Sequence, residues 1–522
     1  MNWNRLLIKA SEQMRPFNDD LIYEYRKRKI AGIADYLDKT HRQVTEFFGK
    51  QVRYVGYQVM TPKEHIDYIL DNSIIKGNVQ IRRNESQLVR YEYEFEGRSY
   101  YVYHEIPYLV NEMIVYKDTK FFPQFYIVEK GGVNCTENGT IIVKVMRIPI
   151  TFSRRPTDKM KLISTRGNVY PELLVTVKIH QAKETSKKKE NPPLLLYHLC
   201  KWGFPDTMKK YGIDPKCISI VQEVDEKDKD NEYFLLPNGV NYFKVSRDIL
   251  KDSYKLRAIL SVYRCFVELP DFHPQDVLGT DPSYYITVLG KYTSSKDINM
   301  IKLLYPNAVK HLEMTDPMLD LVAKEQLRSV GCECNDIYDL LYWMYYRIDD
   351  LLVSYNPTNL FDKKIESLDN LAGGVASKIA SAQYRIIDSK KATLDSKTFA
   401  SFCTHASCNM SWISTDDTKR SNNVFRTNPS LYNDNYLLTI GLKRVLSLES
   451  ITSRSKRKNR GKSKTSPYLL RAHPSQLVVT SILDIPASSP VVTGSMNPYC
   501  EIDDNGNIQR PPYASEIDGI FK

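Results

Sequence analysis

Apolar and polar positions change their period several times along this chain, and each change predicts a different element. Residues 1–60 read as helical, with apolar side chains between Asp19 and Leu37 recurring at helical intervals among charges. From about Ile81 the period falls to two. Leu88-Val-Arg-Tyr-Glu-Tyr-Glu-Phe and Arg98-Ser-Tyr-Tyr-Val-Tyr predict the strands of a hairpin joined at Glu96-Gly97. Further strands are expected at Phe125–Val128, Thr140–Val145, Ile148–Phe152 and Leu173–Ile179. The basic run Lys183–Lys189 reads as a solvated loop closing that stretch. Pro192-Pro193 then opens a helix, Leu194-Leu-Leu-Tyr-His-Leu-Cys-Lys-Trp-Gly. Proline suits a first turn because its missing N–H would have no helical partner there, and glycine suits the position just past the end.

The acidic run Glu223–Glu232 predicts a loop, and residues 244–268 and 298–313 are helical by pattern. Asp336–Val353, dense in apolar and aromatic side chains, carries the strongest helical signal. A polar break at Asn356-Pro357-Thr358-Asn359 precedes another helix, Leu371–Ile387. Beyond about Asn422 the chain turns loop-rich with short strands. Residues 484–522, rich in Pro, Ser, Asn and Gly, hold little apolar material and are expected to pack on a partner. Helices before, between and after a block of strands predict a multidomain α+β fold.

With 522 residues the chain exceeds a single core, so roughly two to four domains are expected. Its composition is that of a globular protein, 42% hydrophobic and 26% charged. Tyrosine stands out, 36 against 18 phenylalanines. Rings with polar tips suit half-wet interfaces, although compositional bias explains the count equally simply. Met1-Asn2-Trp3-Asn4-Arg5 leads into no long apolar run, so neither a secretory signal nor a membrane span is expected. Nine scattered cysteines predict reduced thiols, and the glycosylation patterns at Asn134 and Asn138 then carry no meaning. Cys332-Glu-Cys334 is too tight for a paired zinc knuckle. Cys403, His405 and Cys408 lack an evident fourth ligand, so these read as packing residues and no metal site is expected.

Phosphate loops, dinucleotide fingerprints, nucleophile elbows and clustered catalytic aspartates are all missing from the sequence, which favours a binder or subunit over a free-standing enzyme. The net charge of +11 is concentrated in one place. Between Ile451 and Thr465 stand Arg454, Lys456, Arg457, Lys458, Arg460, Lys462 and Lys464, with no acidic residue among them. A positive loop spaced by Ser and Gly and flanked by folded segments suits a polyanion.

Four patches, in order, resemble the N-terminal half of the β subunit of multisubunit DNA-dependent RNA polymerases. Glu105-Ile106-Pro107-Tyr108-Leu109 resembles the family's I/V-P-L-M. Glu190-Asn-Pro-Pro-Leu-Leu-Leu-Tyr-His-Leu-Cys-Lys-Trp-Gly-Phe is similar to its lobe helix. Tyr342-Trp-Met-Tyr-Tyr-Arg-Ile-Asp-Asp, followed by Asp362-Lys-Lys-Ile-Glu-Ser-Leu-Asp-Asn-Leu-Ala-Gly, resembles the return from lobe to protrusion. The fourth patch, Thr427-Asn428-Pro429, Lys443-Arg444-Val-Leu-Ser447, the basic loop and Arg471-Ala-His473-Pro474-Ser475, follows the order of the family's fork. It departs from the family where the Gly-rich fork turn becomes the basic loop. It departs again where E-T-P-E-G becomes Asp484-Ile485-Pro486-Ala487-Ser488. This divergence is most like the split β subunits of large-genome bacteriophages.

The resemblance implies a protrusion at residues 1–145 completed by 356–420, a lobe at 146–355, and a fork with the start of the external region at 421–522. Protrusion and lobe would form one jaw of the DNA cleft, with the fork beside the RNA–DNA hybrid. The seven basic loop residues, with Arg471, would meet nucleic-acid phosphates, and Asn428, Lys443 and Arg444 would line the RNA path. His473 and Asp484 would support the site structurally. The two Mg²⁺ ions would be held by a companion β′ chain, and this chain would be an obligate subunit, inactive alone. Implied partners are a C-terminal β fragment, N- and C-terminal β′ fragments, a promoter-specificity subunit, DNA and RNA. The location would be the host cytoplasm, with packaging in the virion left open. A phage portal or baseplate protein is the competing class. A nuclease would need a carboxylate constellation that the sequence lacks.

Overall fold

The structure, a computed structural model, describes residues 19–48, 51–75, 86–107, 114–116, 119–123, 125–136, 139–145, 148–154, 162–170, 174–179, 191–293, 301–319, 321–354, 359–366, 375–386 (except 377, 380 and 384), 394–408, 425–426, 448–450, 475–479, 493–494, 503 and 506–512. These form a mixed α and β molecule that divides into two compact units. Unit 1 takes its residues from Met1–Lys130 and Asn356–Lys522, and unit 2 is Gly131–Tyr355.

In unit 1 a long helix, α1 (Asp19–Phe48), precedes β1 (Val52–Val59), α2 (Pro62–Ile75), β2 (Ser86–Phe95) and β3 (Arg98–Pro107). The strands form an antiparallel sheet in the order β1-β2-β3. The expected hairpin is present. Phe95 pairs with Arg98 across a two-residue loop in which Glu96 and Gly97 take φ of 52° and 70°, the left-handed twist such a tight turn demands. Side chains on one face of β2, Val89, Tyr91, Tyr93 and Phe95, are buried with Ile33, Leu37 and Val44 of α1, which recur at helical spacing. The helix Ser396–Ala406 adds Phe399, Phe402 and Cys403 to this core. Each such large apolar side chain contributes about 1.5–3 kcal/mol on burial.

One expectation fails here. Val52–Val59 is a strand and not the end of a helix, because Val-Arg-Tyr-Val-Gly-Tyr-Gln-Val is β-branched and aromatic with a glycine at a bulge between Tyr54 and Gly56. Unit 1 continues through β4 (Ile114–Tyr116), β5 (Thr119–Pro123) and β6 (Phe125–Glu129). Phe425–Arg426 pairs with β5. Lys363–Glu366 lies antiparallel to β6, and Leu448–Ser450 lies parallel to it on the other side. The terminal stretch expected to seek a partner packs in part on its own chain. Ile508 is 2% exposed and donates its N–H to the carbonyl of Lys363 at 3.4 Å.

Unit 2 opens with an antiparallel sheet of β7 (Val133–Thr136), β8 (Thr140–Val145) and β9 (Ile148–Arg154). It is completed by β12 (Val175–Lys178) after the small hairpin β10 (Leu162–Ile163) and β11 (Val169–Tyr170). Helix α3 (Leu194–Lys210) starts after Pro193 as expected, but it passes Gly203. Gly203 adopts φ 71° and ψ −178°, a break that lets the chain restart at Phe204 despite Pro205. The Thr207 hydroxyl donates to the carbonyls of Gly203 (2.6 Å) and His198 (3.1 Å), occupying acceptors that the break disturbs.

A three-stranded sheet in the order β13-β15-β14 follows, built from β13 (Ile218–Val221), β14 (Asn231–Leu235) and β15 (Tyr242–Ser246). It corrects two expectations. The stretch read as helix over 244–268 is strand up to Ser246 and then two helices, a short one at Arg247–Lys251 and α4 (Ser253–Glu268), where the Asp252 carboxylate accepts from the N–H groups of Tyr254 and Lys255, and the loop 223–232 ends as a strand. Helices α5 (Ser283–Thr293), α6 (Ile301–Thr315) and α7 (Ile337–Ser354), with the shorter helices Pro274–Leu278 and Leu321–Arg328, complete the described part of the unit. Close approach of α5 to α6 rests on Gly290, where a Cβ would stand 2.3 Å from the Leu304 carbonyl oxygen. Several tyrosines prove to be core material, while Tyr57, Tyr101 and Tyr305 are exposed. Tyr91, Tyr93, Tyr197, Tyr233, Tyr285 and Tyr345 are fully buried, and their hydroxyls find acceptors such as the carbonyls of Val277 for Tyr285 and Tyr254 for Tyr345.

Candidate functional site

The residues expected to meet nucleic acid all lie outside the described residues: the basic loop Arg454–Lys464, Asn428, Lys443, Arg444 and Arg471, together with His473 and Asp484. Parts of the four motif patches are described, and the fold brings several of them together.

Two patches meet in unit 2, where α3 packs on α7 around His198. His198 has no solvent exposure. Its Nε2 donates to the Tyr338 carbonyl at 3.0 Å, and the Tyr211 hydroxyl bonds Nδ1 at 2.6 Å. With Nε2 carrying the proton, Tyr211 must donate to Nδ1, which fixes the neutral tautomer. Burial lowers the His198 pKa to about 3, so the ring stays uncharged at neutral pH. Trp202 stacks on the imidazole at 4.8 Å between ring centres. The Lys210 ammonium lies 4.0 Å from the Trp202 ring centre and 5.2 Å from that of Tyr342. Lys210 has no carboxylate partner among the described residues, so its charge is available to an anion. Nearby, Lys201 lies over Tyr338 at 4.7 Å.

The Tyr342–Asp350 patch also holds a charge cluster. Asp349 accepts from Arg257 Nη2 at 2.7 Å and from Arg154 Nη1. Arg257 is 3% exposed, donates its Nη1 to the Tyr345 carbonyl at 2.9 Å, and stands 5.4 Å from the Tyr254 and Tyr345 ring centres. This cluster ties β9, α4 and α7 together.

In unit 1, the Ser475 hydroxyl accepts from the Leu360 N–H at 2.8 Å, two residues before Asp362, so the fourth patch touches the second half of the third. Glu105 of the first patch accepts from the Ser86 hydroxyl at 2.7 Å, and its N–H donates to the Cys408 carbonyl at 2.9 Å. Cys403 and Cys408 are buried in the core, whereas His405 is exposed and bonds the Ser401 carbonyl through Nδ1 at 2.7 Å. Burial pushes the Cys403 thiol up to about 12. Among the described residues no three His, Cys, Asp or Glu side chains meet as a metal-binding group.

Sequence reasoning missed the His198 and Asp349 clusters, because their members are scattered along the chain. The only signal was the density of aromatics in the two patches. What the described motifs build is scaffold: a neutral buried imidazole, closed ion pairs and two exposed aromatic-backed lysines, Lys201 and Lys210. A family model described as non-virion RNA polymerase subunit matches residues 4–427. No curated protein matches the chain.

Proposed function

This chain belongs to the non-virion RNA polymerase subunit family, and from that premise we propose that it is the N-terminal half of a split β subunit of a multisubunit phage polymerase. As a subunit of an RNA polymerase it is part of a nucleotidyltransferase and has partner subunits. Within that enzyme the protrusion (1–145 and 356–420) and the lobe (146–355) form one jaw of the DNA cleft, and 421–522 forms the fork. The family match supports the polymerase part of this reading, and the four resemblance patches support its β part. The match covers the first three resemblance patches and ends at Arg426-Thr427, where the fork series begins. A portal or baseplate protein has no reason to match a polymerase-subunit family.

Catalytic Mg²⁺ and nucleotide chemistry belong to companion chains, β′ and the C-terminal β fragment, and a further subunit supplies promoter specificity. The enzyme works in the host cytoplasm, and the family's non-virion description favours synthesis after infection over packaging. Arg454, Lys456, Arg457, Lys458, Arg460, Lys462, Lys464 and Arg471 neutralise DNA phosphates without reading bases. Asn428, Lys443 and Arg444 line the RNA path, and His473 and Asp484 brace it.

The test is electrostatic. In the assembled polymerase, Arg457→Ala with Arg460→Ala should weaken DNA binding most at low salt and flatten its salt dependence, because fewer counterions are released. Unchanged binding at every salt concentration would remove the loop from the DNA path.

A further inference from the structure

Unit 2 carries an exposed aliphatic face on two adjoining hairpins. Ile163 and Val169 are cross-strand partners in β10–β11, and each is 55% exposed. Leu235 at the end of β14 is 48% exposed, and Val240 in the following turn is 61% exposed. The hairpins lie side by side. The Thr165 N–H donates to the Tyr233 carbonyl at 2.9 Å, Asn168 Nδ2 donates to Glu232 at 2.9 Å, and the Tyr170 and Phe234 rings stand 5.7 Å apart. Aliphatic side chains gathered this way are worth burying, and a polar rim marks such patches as interaction sites.

The rim here is acidic. Glu223, Asp225, Glu226 and Asp230 are exposed on the loop between β13 and β14, against Lys227 and Lys229. The loop is also held in shape. Both oxygens of Asp228 accept from Asn231 Nδ2 (3.0 and 2.9 Å), and the carboxylate also accepts from the Tyr233 hydroxyl at 2.8 Å and the Lys244 ammonium at 2.8 Å, which hold it well below the usual range. The Asp228 carbonyl accepts from Arg166 of the neighbouring hairpin. A loop fixed beforehand loses little entropy on binding. In a chain of net charge +11, an acidic aliphatic face repels nucleic acid and selects protein.

We propose that this face docks a companion polymerase subunit through a segment that presents an apolar side chain flanked by lysine or arginine. The proposal rests on the chain being a polymerase subunit. Ile163 and Val169 fill the apolar centre of the contact, and the carboxylates of Asp225, Glu226 and Asp230 meet the flanking cations.

Hydrogen exchange compares the isolated chain with the assembled polymerase, and tagged variants are scored for the companion chains they recover. Amides in 162–170 and 223–241 should exchange more slowly in the assembly. Ile163→Asp with Val169→Asp, both on exposed positions, should lower recovery of one companion chain roughly tenfold. Asp225→Lys with Glu226→Lys should do so most at low salt. Unchanged exchange together with full recovery by both variants overturns the docking face while leaving the polymerase reading intact. Protection already present in the isolated chain and lost at high salt overturns it as well, by making the occupant a basic segment of this chain. A wild-type chain that recovers no polymerase subunit overturns both readings.

Discussion

Nε2 of His41 and Nε2 of His104 face each other at 2.8 Å in the core of unit 1, and neither ring is exposed. Two nitrogens at that distance need one proton between them. The Tyr93 hydroxyl reaches the His41 carbonyl (3.3 Å) and His41 Nδ1 (2.6 Å). If Tyr93 donates to the carbonyl, His41 Nδ1–H donates to Tyr93, and His104 Nε2–H donates to His41 Nε2. This arrangement leaves every N–H paired and only the His104 Nδ1 lone pair without a partner.

Acid should therefore loosen unit 1 first at this pair. Burial lowers both pKa values below 6.5, that of His104 to about 3, and each charge would repel the other. Between those values the unfolded chain binds more protons than the folded one. The stability from the neutral pair is complete above pH 6.5 and is lost as pH falls toward 3, at up to about 1.4 kcal/mol per pH unit for each histidine. Hydrogen exchange across residues 88–104 should accelerate from pH 6.5 to 5. His41→Leu with His104→Leu should flatten that dependence, and an unchanged slope would contradict the assignment.

Asp349→Ala should destabilise unit 2 by about 3–5 kcal/mol, because it strands the buried Arg257 guanidinium. Replacing Arg257 together with Asp349 by apolar residues should cost less than the single change. Denaturant unfolding of the three variants measures the difference.

Two glycines with the same positive φ should respond differently to alanine. Gly203 and Gly239 both have φ of 71°, but a Cβ at Gly203 would stand 2.4 Å from the Thr280 carbonyl oxygen, whereas nothing lies within 4 Å at Gly239. Gly239→Ala should cost about 1–2 kcal/mol from the left-handed conformation alone. Gly203→Ala adds a backbone clash and should exceed that clearly in thermal unfolding.

Thiol labelling of the native chain should single out Cys217, which is exposed, among the described cysteines. Cys200, Cys265 and Cys403 are buried with raised pKa values and should label only on unfolding.

Local chemistry was legible in the sequence, and long-range company was not. The Glu96-Gly97 hairpin, the helix after Pro193 and α7 follow from alternation, turn residues and helical spacing within one segment. Val52–Val59 was misread because an amphipathic pattern upstream was extended past its end. Ser246 hid a strand-to-helix boundary because the apolar spacing runs through it. His41 with His104, and Asp349 with Arg154 and Arg257, are partners only after the chain folds, so no spacing announces them. The tyrosine count held two readings that only burial separates: Tyr91, Tyr93, Tyr197, Tyr233, Tyr285 and Tyr345 pack in cores, whereas Tyr57, Tyr101 and Tyr305 are exposed. The fork residues expected to meet nucleic acid, legible by resemblance, lie outside the described residues.

The most direct measurement of the central claim is affinity purification of the tagged chain from infected cells, with its companions identified by mass spectrometry. A split β subunit should come with two β′ fragments and a C-terminal β fragment in equal amounts, in a complex that transcribes DNA. Recovery only with shell or tail proteins, without β′ partners, would contradict it.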